Sequence, residues 1–552
     1  MKRVWLLCSI FLCSLVSAAQ ETCSISYDGN SDGIVGISDL LGLLAVFGDS
    51  DSDDDGIWDS LDACTDSSAC NYADSPSVPC AWLDAIQICG GDCEGDEDAD
   101  GICDDEDVCI GIIDECGICN GPGPTEMVID SITILYDSVY AAPIDEWFVF
   151  EVGADTVMSF QCAELAWNQV GDDIDGDAGL PGSDTGSNSG YSVAMSNSGD
   201  VVAIGAPNAY LQSGYVRVYS WNDEMWIQVG EDIVGEFGAG SGFSVSISAD
   251  GQIVAIGGIL YNGQNGQWVG HVRVYSWNGE MWTQMGADIE GEAPWDFNGW
   301  SVALSANGST VAISSPHSDG NSSTDGRTRV YSYDGSVWTQ IGSDIDGEPN
   351  DVSGQSVSLS SNGNTLAIGS PLCCGNQGKT IVYSYVNDMW VQKGQVLIGE
   401  NNLDNSGWSV SLSNSGDVVA IGAPNALDNS SANTGHVRVY SWNGTSWSQK
   451  GSDIDGEEML DDSGSAVNLS DDGNTVAIGA IGNDGNGDES GHVRVYQFDG
   501  SDWIQLGQDI DGEAPGDQSG NAVSISSDGT KVAIGAVGNS DGAGHVRVYS
   551  LE

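Results

Sequence analysis

The chain has 552 residues, with 83 acidic against 13 basic side chains and a formal net charge of −70. So acidic a chain repels phosphates and anionic lipids, which argues against a nucleic-acid-binding or membrane-surface protein. The chain is too long to fold around one hydrophobic core of ordinary size. Its 76 glycines and 18 tryptophans favour short strands and tight turns over disorder.

Residues 1–19 have the pattern of a secretory signal peptide. Lys2 and Arg3 precede the apolar run "VWLLCSIFLCSLV", and small residues follow it up to Ala19. That run is too short to span a membrane, and no later stretch is long and apolar enough. We therefore expect a protein that is secreted or held at the cell surface, with no membrane span.

Cysteines are concentrated near the N-terminus. Ten lie between Cys23 and Cys119, which in an exported chain indicates disulfides whose pairing the sequence leaves open. The adjacent Cys373 and Cys374 lie much later, and they are expected to bridge each other or a partner.

The segment 23–48 contains a calcium loop, "DGNSDGIVGISD", followed by an apolar helical pattern. Its acids alternate around a central Gly33, and calcium takes six to eight oxygens from such loops. The predicted ligands are the side chains of Asp28, Asn30, Asp32 and Asp39 and the backbone carbonyl of Ile34. Loop and helix together resemble one half of a dockerin, a family that binds calcium and docks onto cohesin partners. The resemblance implies a cohesin-like partner.

The segment 49–123 contains two further acidic loops, "DSDDDGIWDSLDAC" and "DEDADGICDDEDVC". Each has five spaced aspartates, a central glycine and a trailing cysteine, which is a calcium-ligand spacing. The predicted ligands are Asp51, Asp53, Asp55, Asp59 and Asp62 in the first loop and Asp96, Asp98, Asp100, Asp104 and Asp107 in the second. Both loops resemble thrombospondin type 3 repeats. A strand-rich connector is predicted for 124–162.

Residues 163–552 repeat with a period of 52 to 57 residues. Seven copies of a "VAIG"-like run and seven of "W-x-Q-x-G" fix the repeat number. Each repeat reads as four strands, and no helical pattern interrupts them. The sequence predicts an all-β fold, a seven-bladed β-propeller with four-stranded blades, preceded by small disulfide-rich calcium-binding modules. Because the array starts with a "WNQVG" strand and ends after "HVRVYSL", the first strand is expected to complete the last blade.

The "SG-x-SVSLS…G…VAIGAP" core, best seen from Ser189 and from Ser406, resembles the FG-GAP repeat of the integrin α-chain head. The resemblance covers the whole array and implies an extracellular propeller used for adhesion or ligand binding. We expect a calcium-binding recognition protein, not an enzyme, whose propeller binds a glycan or a protein. The alternatives are a propeller enzyme acting on polysaccharide, attached by the dockerin-like loop to an extracellular assembly, and a structural surface-coat component.

Polar residues that recur once per repeat are interpreted as structural. The histidines are His271, His436, His492 and His545, and in the other three repeats the sequence indicates Tyr215, Thr328 and Thr380 at that position. The recurring mid-strand arginines are expected to pair with the acids of neighbouring "DIDGE" turns, because a buried arginine needs an anion. Recognition is assigned to loops that do not repeat, such as "YNGQNGQWVG" at 261–270 and "PHSDGNSSTDG" at 316–326.

Overall fold

The computed structural model describes residues 165–178, 186–318, 324–427 and 432–551, together with the backbone of five strands nearer the N-terminus. Of those five, Ala69–Cys70 pairs with Ala81–Trp82. Val157–Cys162 lies between Pro124–Asp130 and Trp147–Glu151 in a three-stranded antiparallel sheet. The chain divides into two compact units, which meet in sequence between Glu164 and Leu165.

The second unit is a seven-bladed β-propeller, which confirms the predicted fold. Each blade is an antiparallel sheet of four strands, and the outermost strand is interrupted so that both of its pieces pair with the third strand. The inner strands are Ser192–Met195, Ser241–Ile247, Val302–Leu304, Ser356–Leu359, Ser409–Leu412, Ser463–Leu469 and Ser519–Ile525. The second strands are Val201–Ala206, Ile253–Gly258, Thr310–Ser315, Thr365–Ser370, Val418–Ala423, Thr475–Ala480 and Lys531–Ala536.

The third strands are Tyr215–Trp221, His271–Trp277, Arg327–Tyr333, Lys379–Val386, His436–Trp442, His492–Phe498 and His545–Leu551. The outer strands of blades 1 to 3 are Trp226–Gln228 with Ile233–Val234, Trp282–Gln284 with Ile289–Glu290, and Trp338–Gln340 with Ile345–Asp346. Those of blades 4 to 6 are Met389–Gln392 with Leu397–Ile398, Trp447–Gln449 with Ile454–Asp455, and Trp503–Gln505 with Ile510–Asp511. Blade 7 takes Trp167–Gln169 with Ile174–Asp175.

The second strand of each blade is buried on both faces, as its continuous apolar sequence predicts. In blade 5, Val419, Ala420 and Ile421 are all at most 2% exposed. Their side chains join a separate apolar cluster at each interface between neighbouring blades. The buried apolar side chains are thus distributed over the blade interfaces around the ring and do not form one central core.

The ring is closed by three sets of contacts. Trp167–Gln169 pairs with Tyr549–Leu551, so the first strand of the array completes the last blade as predicted. Seven tryptophan indoles donate to a carbonyl of the preceding blade, as Trp447 Nε1 does to Lys393 O at 2.8 Å. Near the axis, one backbone N–H from each blade donates to the next blade in an unbroken cycle at Asn197, Ala249, Ala306, Ser361, Asn414, Asp471 and Ser527.

The two faces of the ring differ. One, the turn face, carries the short turns that join inner to second strands and third to outer strands. The other, the loop face, carries longer connections, which in blade 2 are residues 259–270 and 291–301. Three tight four-residue turns, which contain residues with left-handed backbone angles, lie in these connections at Ala209–Gln212, Cys373–Asn376 and Asn539–Gly542. Across the described part of the chain, no helix has the length and apolar character needed to cross a membrane.

The glycine that opens "GHVRVY" is required by a close approach of two blades. Gly435 has φ of +73°, and a Cβ there would lie 2.3 Å from the backbone oxygen of Ser463. Gly435 and Ser463 also form a parallel bridge from one blade to the next. A larger residue would therefore push the two blades apart.

Candidate functional site

The predicted calcium ligands of the N-terminal loops, from Asp28 to Asp107, lie outside the described residues. Calcium binding by these loops therefore stays a prediction. The features described below all belong to the propeller, and nearly all of them are on the loop face.

The loop face exposes apolar side chains at the tips of its connections. They are Tyr210, Leu211, Phe237, Trp295, Leu372, Leu403, Leu427, Met459 and Leu460. Phe237 is 81% exposed and Trp295 is 49% exposed. Other exposed apolar side chains, such as Ile227 and Ile504, lie on the outer strands, so the tips of the loop face are one of two main places where such groups occur.

Blades 1 to 3 carry a continuous aromatic cluster on this face, made of Tyr191, Phe243, Trp268, Trp295, Phe297, Trp300 and His317. Ring centroids are 4.9 Å apart for Tyr191 and Phe243 and 4.8 Å apart for Phe243 and Trp300. Trp300 lies 5.3 Å from His317, and Trp268 lies 4.3 Å from Trp295. Phe297 links the two groups.

The two loops singled out from the sequence both contribute to the aromatic cluster. Trp268 belongs to 261–270, and His317 belongs to 316–326. Trp268, Trp295 and Phe297 all have left-handed backbone conformations, with φ of 53°, 72° and 53°. Bulky residues rarely adopt φ above zero, and such residues concentrate at functional sites.

Tyr191, Phe243 and Trp300 were not predicted from the sequence as a set. Each of these three residues directly follows the Ser-Gly or Asn-Gly pair at the start of an inner strand. Trp408 occupies the same position in blade 5. The equivalent residues of blades 4, 6 and 7 are Gln355, Ser465 and Asn521. Aligning this single repeat position would have shown that aromatic residues are confined to certain blades.

The mid-strand arginines of blades 1 to 3 pair with carboxylates, as predicted. Arg273 contacts Asp288 at 2.8 Å and also pairs with Glu236 of the preceding blade. Arg217 contacts Asp177 and Asp232, both at 2.8 Å. Burial alone would raise the pKa of the Asp288 carboxyl, but the side chains of His271, Arg273 and Gln284 outweigh it and hold the pKa far below its usual value.

The arginines of blades 5 to 7 are placed differently. Arg438, Arg494 and Arg547 each donate to a backbone carbonyl of the preceding blade, at 3.1, 2.8 and 2.7 Å. Their nearest carboxylates, Glu400, Glu457 and Glu513, are 3.4, 3.4 and 3.8 Å away. The prediction of arginine–acid pairing therefore holds closely in blades 1 to 3 and loosely in blades 5 to 7.

The acids of blades 5 to 7 are correspondingly less well neutralised. Burial raises the pKa of the Glu457 carboxyl, and the charges of Asp509, Asp461 and Asp511 raise it further against the opposing effect of Arg494. The pKa of Asp511 is raised by burial and then by Asp509. Negative charge thus accumulates at this part of the loop face.

The strand register corrects the assignment of the repeated histidine position. His436 pairs with Ala423, and the residues in equivalent register are Tyr215, Arg327 and Lys379. Thr328 and Thr380, which the sequence indicated, lie one residue further along and face the other side of the strand. Lys379 contacts the buried Asp351 at 2.7 Å. The position therefore holds a group that can carry positive charge in six of the seven blades.

The histidines at this position are buried. His271, His492 and His545 are each 1% exposed and His436 is 2% exposed. Burial lowers the pKa of His492 to about 4, with the neighbouring Arg494 lowering it and Asp509 and Asp461 opposing. Burial likewise lowers the pKa of His436 and of His545. The imidazoles of His436, His492 and His545 are accordingly neutral at pH 7.

Two of the histidines lie close to carboxylates from two blades. Potential ligand atoms of Asp173, Glu513 and His545 all lie within 4.8 Å of one another, and so do those of Glu457, His492 and Asp509. In both groups the glutamate comes from the preceding blade. Each group therefore lies across a blade interface.

The inner strands of all seven blades line a central cavity of about 260 Å³. At its turn-face end, Asp471 accepts hydrogen bonds from Asn197 at 2.9 Å and Asn414 at 3.1 Å. Burial raises the pKa of this carboxyl, and Asp472 adds to the effect. Asp471 is the one charged member of the axial backbone ring.

Cys373 and Cys374 are bonded to each other, in the second-to-third-strand connection of blade 4. This decides between the two pairings expected for them, since neither thiol is left for a partner.

Comparisons with known proteins give a match only at the level of structure. No family model matches the chain, and no curated protein matches it. Among solved structures, hydrazine synthase from Kuenenia stuttgartiensis matches with a TM-score of 0.43 and 12% sequence identity. The match covers 64% of this chain and 95% of that one.

Proposed function

We propose that this chain is a secreted, calcium-binding recognition protein whose propeller binds an extracellular glycan through the aromatic cluster of blades 1 to 3. The aromatic cluster is the observation that supports this proposal. Flat apolar rings pack against the C–H faces of sugars, while nearby polar groups bind hydroxyls. Protein ligands with exposed aromatic or apolar anchors are the second class that such a surface fits.

Polar groups beside the cluster suit a ligand rich in hydroxyls. Asn262 and Gln267 lie on the same loop as Trp268, and Gln267 is exposed. Asn262 Oδ1 accepts a hydrogen bond from the Trp268 backbone N–H at 3.0 Å, which positions the indole. Donors and acceptors next to large rings are typical of sites where a few polar contacts orient a ligand held mainly by apolar area.

Secretion and calcium binding rest on the N-terminal sequence. The signal-peptide pattern, the three acidic loops and the resemblance to FG-GAP repeats agree with an extracellular protein in a calcium-containing medium. In this proposal the acidic modules bind calcium and the propeller carries the ligand. A cohesin-like partner for the first loop belongs to the same proposal.

An array of glycans and matrix proteins, probed with the full secreted chain in calcium and in chelator, tests the proposal. We expect Trp295→Ala and Trp268→Ala to weaken binding by about thirty-fold, since truncating a central aromatic anchor costs roughly 2 kcal/mol. The matched control is Ile504→Ala, an apolar side chain of similar exposure on the outer strand of blade 6.

Equal binding by the tryptophan variants and the wild type would overturn the assigned surface. Binding unaffected by chelator would overturn its calcium dependence. Cleavage of a bound polysaccharide, detected as new reducing ends, would favour the enzyme alternative.

A further inference from the structure

The interface between blades 6 and 7 brings one imidazole and two carboxylates together on the loop face. Nδ1 of His545 lies 3.5 Å from Oδ2 of Asp173 and 4.0 Å from Oε2 of Glu513. Glu457, His492 and Asp509 form the same kind of group between blades 5 and 6. We propose that each group binds one divalent transition-metal ion, with Zn²⁺ as the best match.

The charges around these groups favour a cation. Among the described residues, no lysine or arginine lies within 4.0 Å of Asp173 or Asp509. Arg547 and Arg494 donate to the backbone oxygens of Asp511 and Asp455. They lie 3.8 and 3.4 Å from the glutamates of the two groups and so neutralise those glutamates only loosely, and they do not reach the aspartates. A bound cation would supply the missing positive charge.

The burial and orientation of the side chains also fit a metal. His492 and His545 are each 1% exposed, and a ring nitrogen of each lies within 4.8 Å of both carboxylates of its group. Gln169 donates to Oδ1 of Asp173 at 2.7 Å, which leaves Oδ2 directed at His545. Gln505 donates to Oδ1 of Asp509 in the same way, at 2.6 Å. Such second contacts orient metal ligands.

The ligand set selects the class of metal. One nitrogen and two carboxylate oxygens, with water completing the coordination, is a set that zinc accepts. Calcium prefers six to eight oxygens and no imidazole. These two groups therefore differ in chemistry from the predicted calcium loops.

Blade 2 provides a natural control. His271, Asp288 and Glu236 occupy the same repeat positions as His545, Asp173 and Glu513. There Arg273 contacts both Asp288 and Glu236, so its guanidinium already supplies the positive charge. The proposal therefore predicts no zinc site in blade 2.

Calorimetric titration of the full secreted chain with Zn²⁺ tests the proposal, in physiological salt and with excess calcium to fill the acidic loops. We expect two tight equivalents above weak background binding. His545→Tyr should lose one and His492→Tyr the other. Tyrosine is chosen because Tyr215 occupies this position, fully buried, in blade 1. His271→Tyr should keep both equivalents.

A second variant and a second measurement guard against misfolding. Asp173→Asn keeps the shape of the side chain and should weaken the blade 7 equivalent at least tenfold. Co²⁺ used in place of Zn²⁺ should give visible d–d absorption that falls by half in His545→Tyr. Absence of any tight equivalent in the wild type would overturn the proposal. So would an equal loss of zinc in His271→Tyr. These outcomes do not depend on glycan binding, which is scored separately.

The blade 7 site would join three parts of the chain. Asp173 lies between the two pieces of the first strand of the propeller, His545 begins its last strand, and Glu513 belongs to the preceding blade. A metal ion there would hold the closing strand in place. We accordingly expect Zn²⁺ to raise the melting temperature of the wild type and to raise it less in His545→Tyr.

Discussion

Blades 1 to 3 and blades 5 to 7 differ in how their mid-strand arginines are paired with neighbouring groups. In the first group each arginine neutralises an aspartate of its own blade and an acid of the preceding connection. In the second group the arginines bind backbone oxygens, and the pKa values of Glu457 and Asp511 are raised. The strands and register are nearly identical in the two groups. A repeated fold can therefore leave charge unbalanced at chosen interfaces without altering its backbone.

The largest expected change in the free energy of unfolding comes from the removal of an arginine. Arg273→Ala should lower the free energy of unfolding by about 2–4 kcal/mol, because it leaves Asp288 and Glu236 without their cation. Arg438→Ala should cost about 1–3 kcal/mol, since it mainly leaves the Ile398 carbonyl without a donor. Urea denaturation followed by tryptophan fluorescence measures both.

Glycan binding by the folded Arg438→Ala protein should be unchanged, because Arg438 acts within the blade. If Arg438→Ala left the stability unaltered but abolished ligand binding, the arginines would contact the ligand instead. Equal costs for the two variants would remove the contrast between the blade groups.

Acid should destabilise the blades 5–6 interface through His492. The folded pKa is lowered from its ordinary 6.5 to about 4, so the unfolded state binds more protons between these values. Stability is retained above pH 6.5 and is lost as pH falls towards 4, by roughly 3 kcal/mol in total. The raised pKa of Glu457 acts in the opposite direction.

Comparing the wild type with His492→Tyr at a series of pH values isolates the histidine contribution, because Glu457 is common to both proteins. The variant should lose less stability than the wild type over this interval. Parallel pH profiles would show that the imidazole titrates normally in the folded protein.

The smallest expected effects are stability changes of opposite sign, caused by the same substitution at equivalent aspartates of two blades. Asp288→Asn should destabilise by about 2 kcal/mol, since it breaks the pair with Arg273. Asp509→Asn should stabilise the metal-free protein by up to about 1 kcal/mol, because the charge of Asp509 raises the pKa values of Glu457 and Asp511. Thermal melts in chelator compare the two. Destabilisation by both would mean that the acids of blade 6 are already compensated.

The sequence predicts the fold well because strand periodicity and repeat length are local properties. Seven copies of a "VAIG"-like run and the placement of "WNQVG" at the start of the array were enough to predict both the ring and its closure. The outer strand is harder to predict from the sequence, because its second piece is only two residues long and lies within the "DIDGE" motif, which the sequence predicts to be a turn. Its Ile–Asp pair in fact extends the sheet.

The candidate sites depend on contacts between blades, which the sequence does not show. Trp268 and His317 were within loops assigned to recognition, but their contact with Trp300 required the geometry. The assignment of Thr328 and Thr380 to the histidine position was wrong, because threonine there replaces the valine that follows the histidine in the blades that carry one. Only the strand register places Arg327 and Lys379 beside the acids.

Closure by a strand from the start of the array also fixes where the chain enters and leaves the ring. Trp167 and Leu551 are opposite each other in the ladder, at the end of blade 7 nearest the turn face. A tag attached after Leu551 would therefore orient immobilised molecules with the aromatic cluster towards the solution. The proximity of the two positions also allows them to be joined and the chain reopened elsewhere, for instance in the exposed turn at 443–445, giving a circular permutant whose last blade is closed covalently.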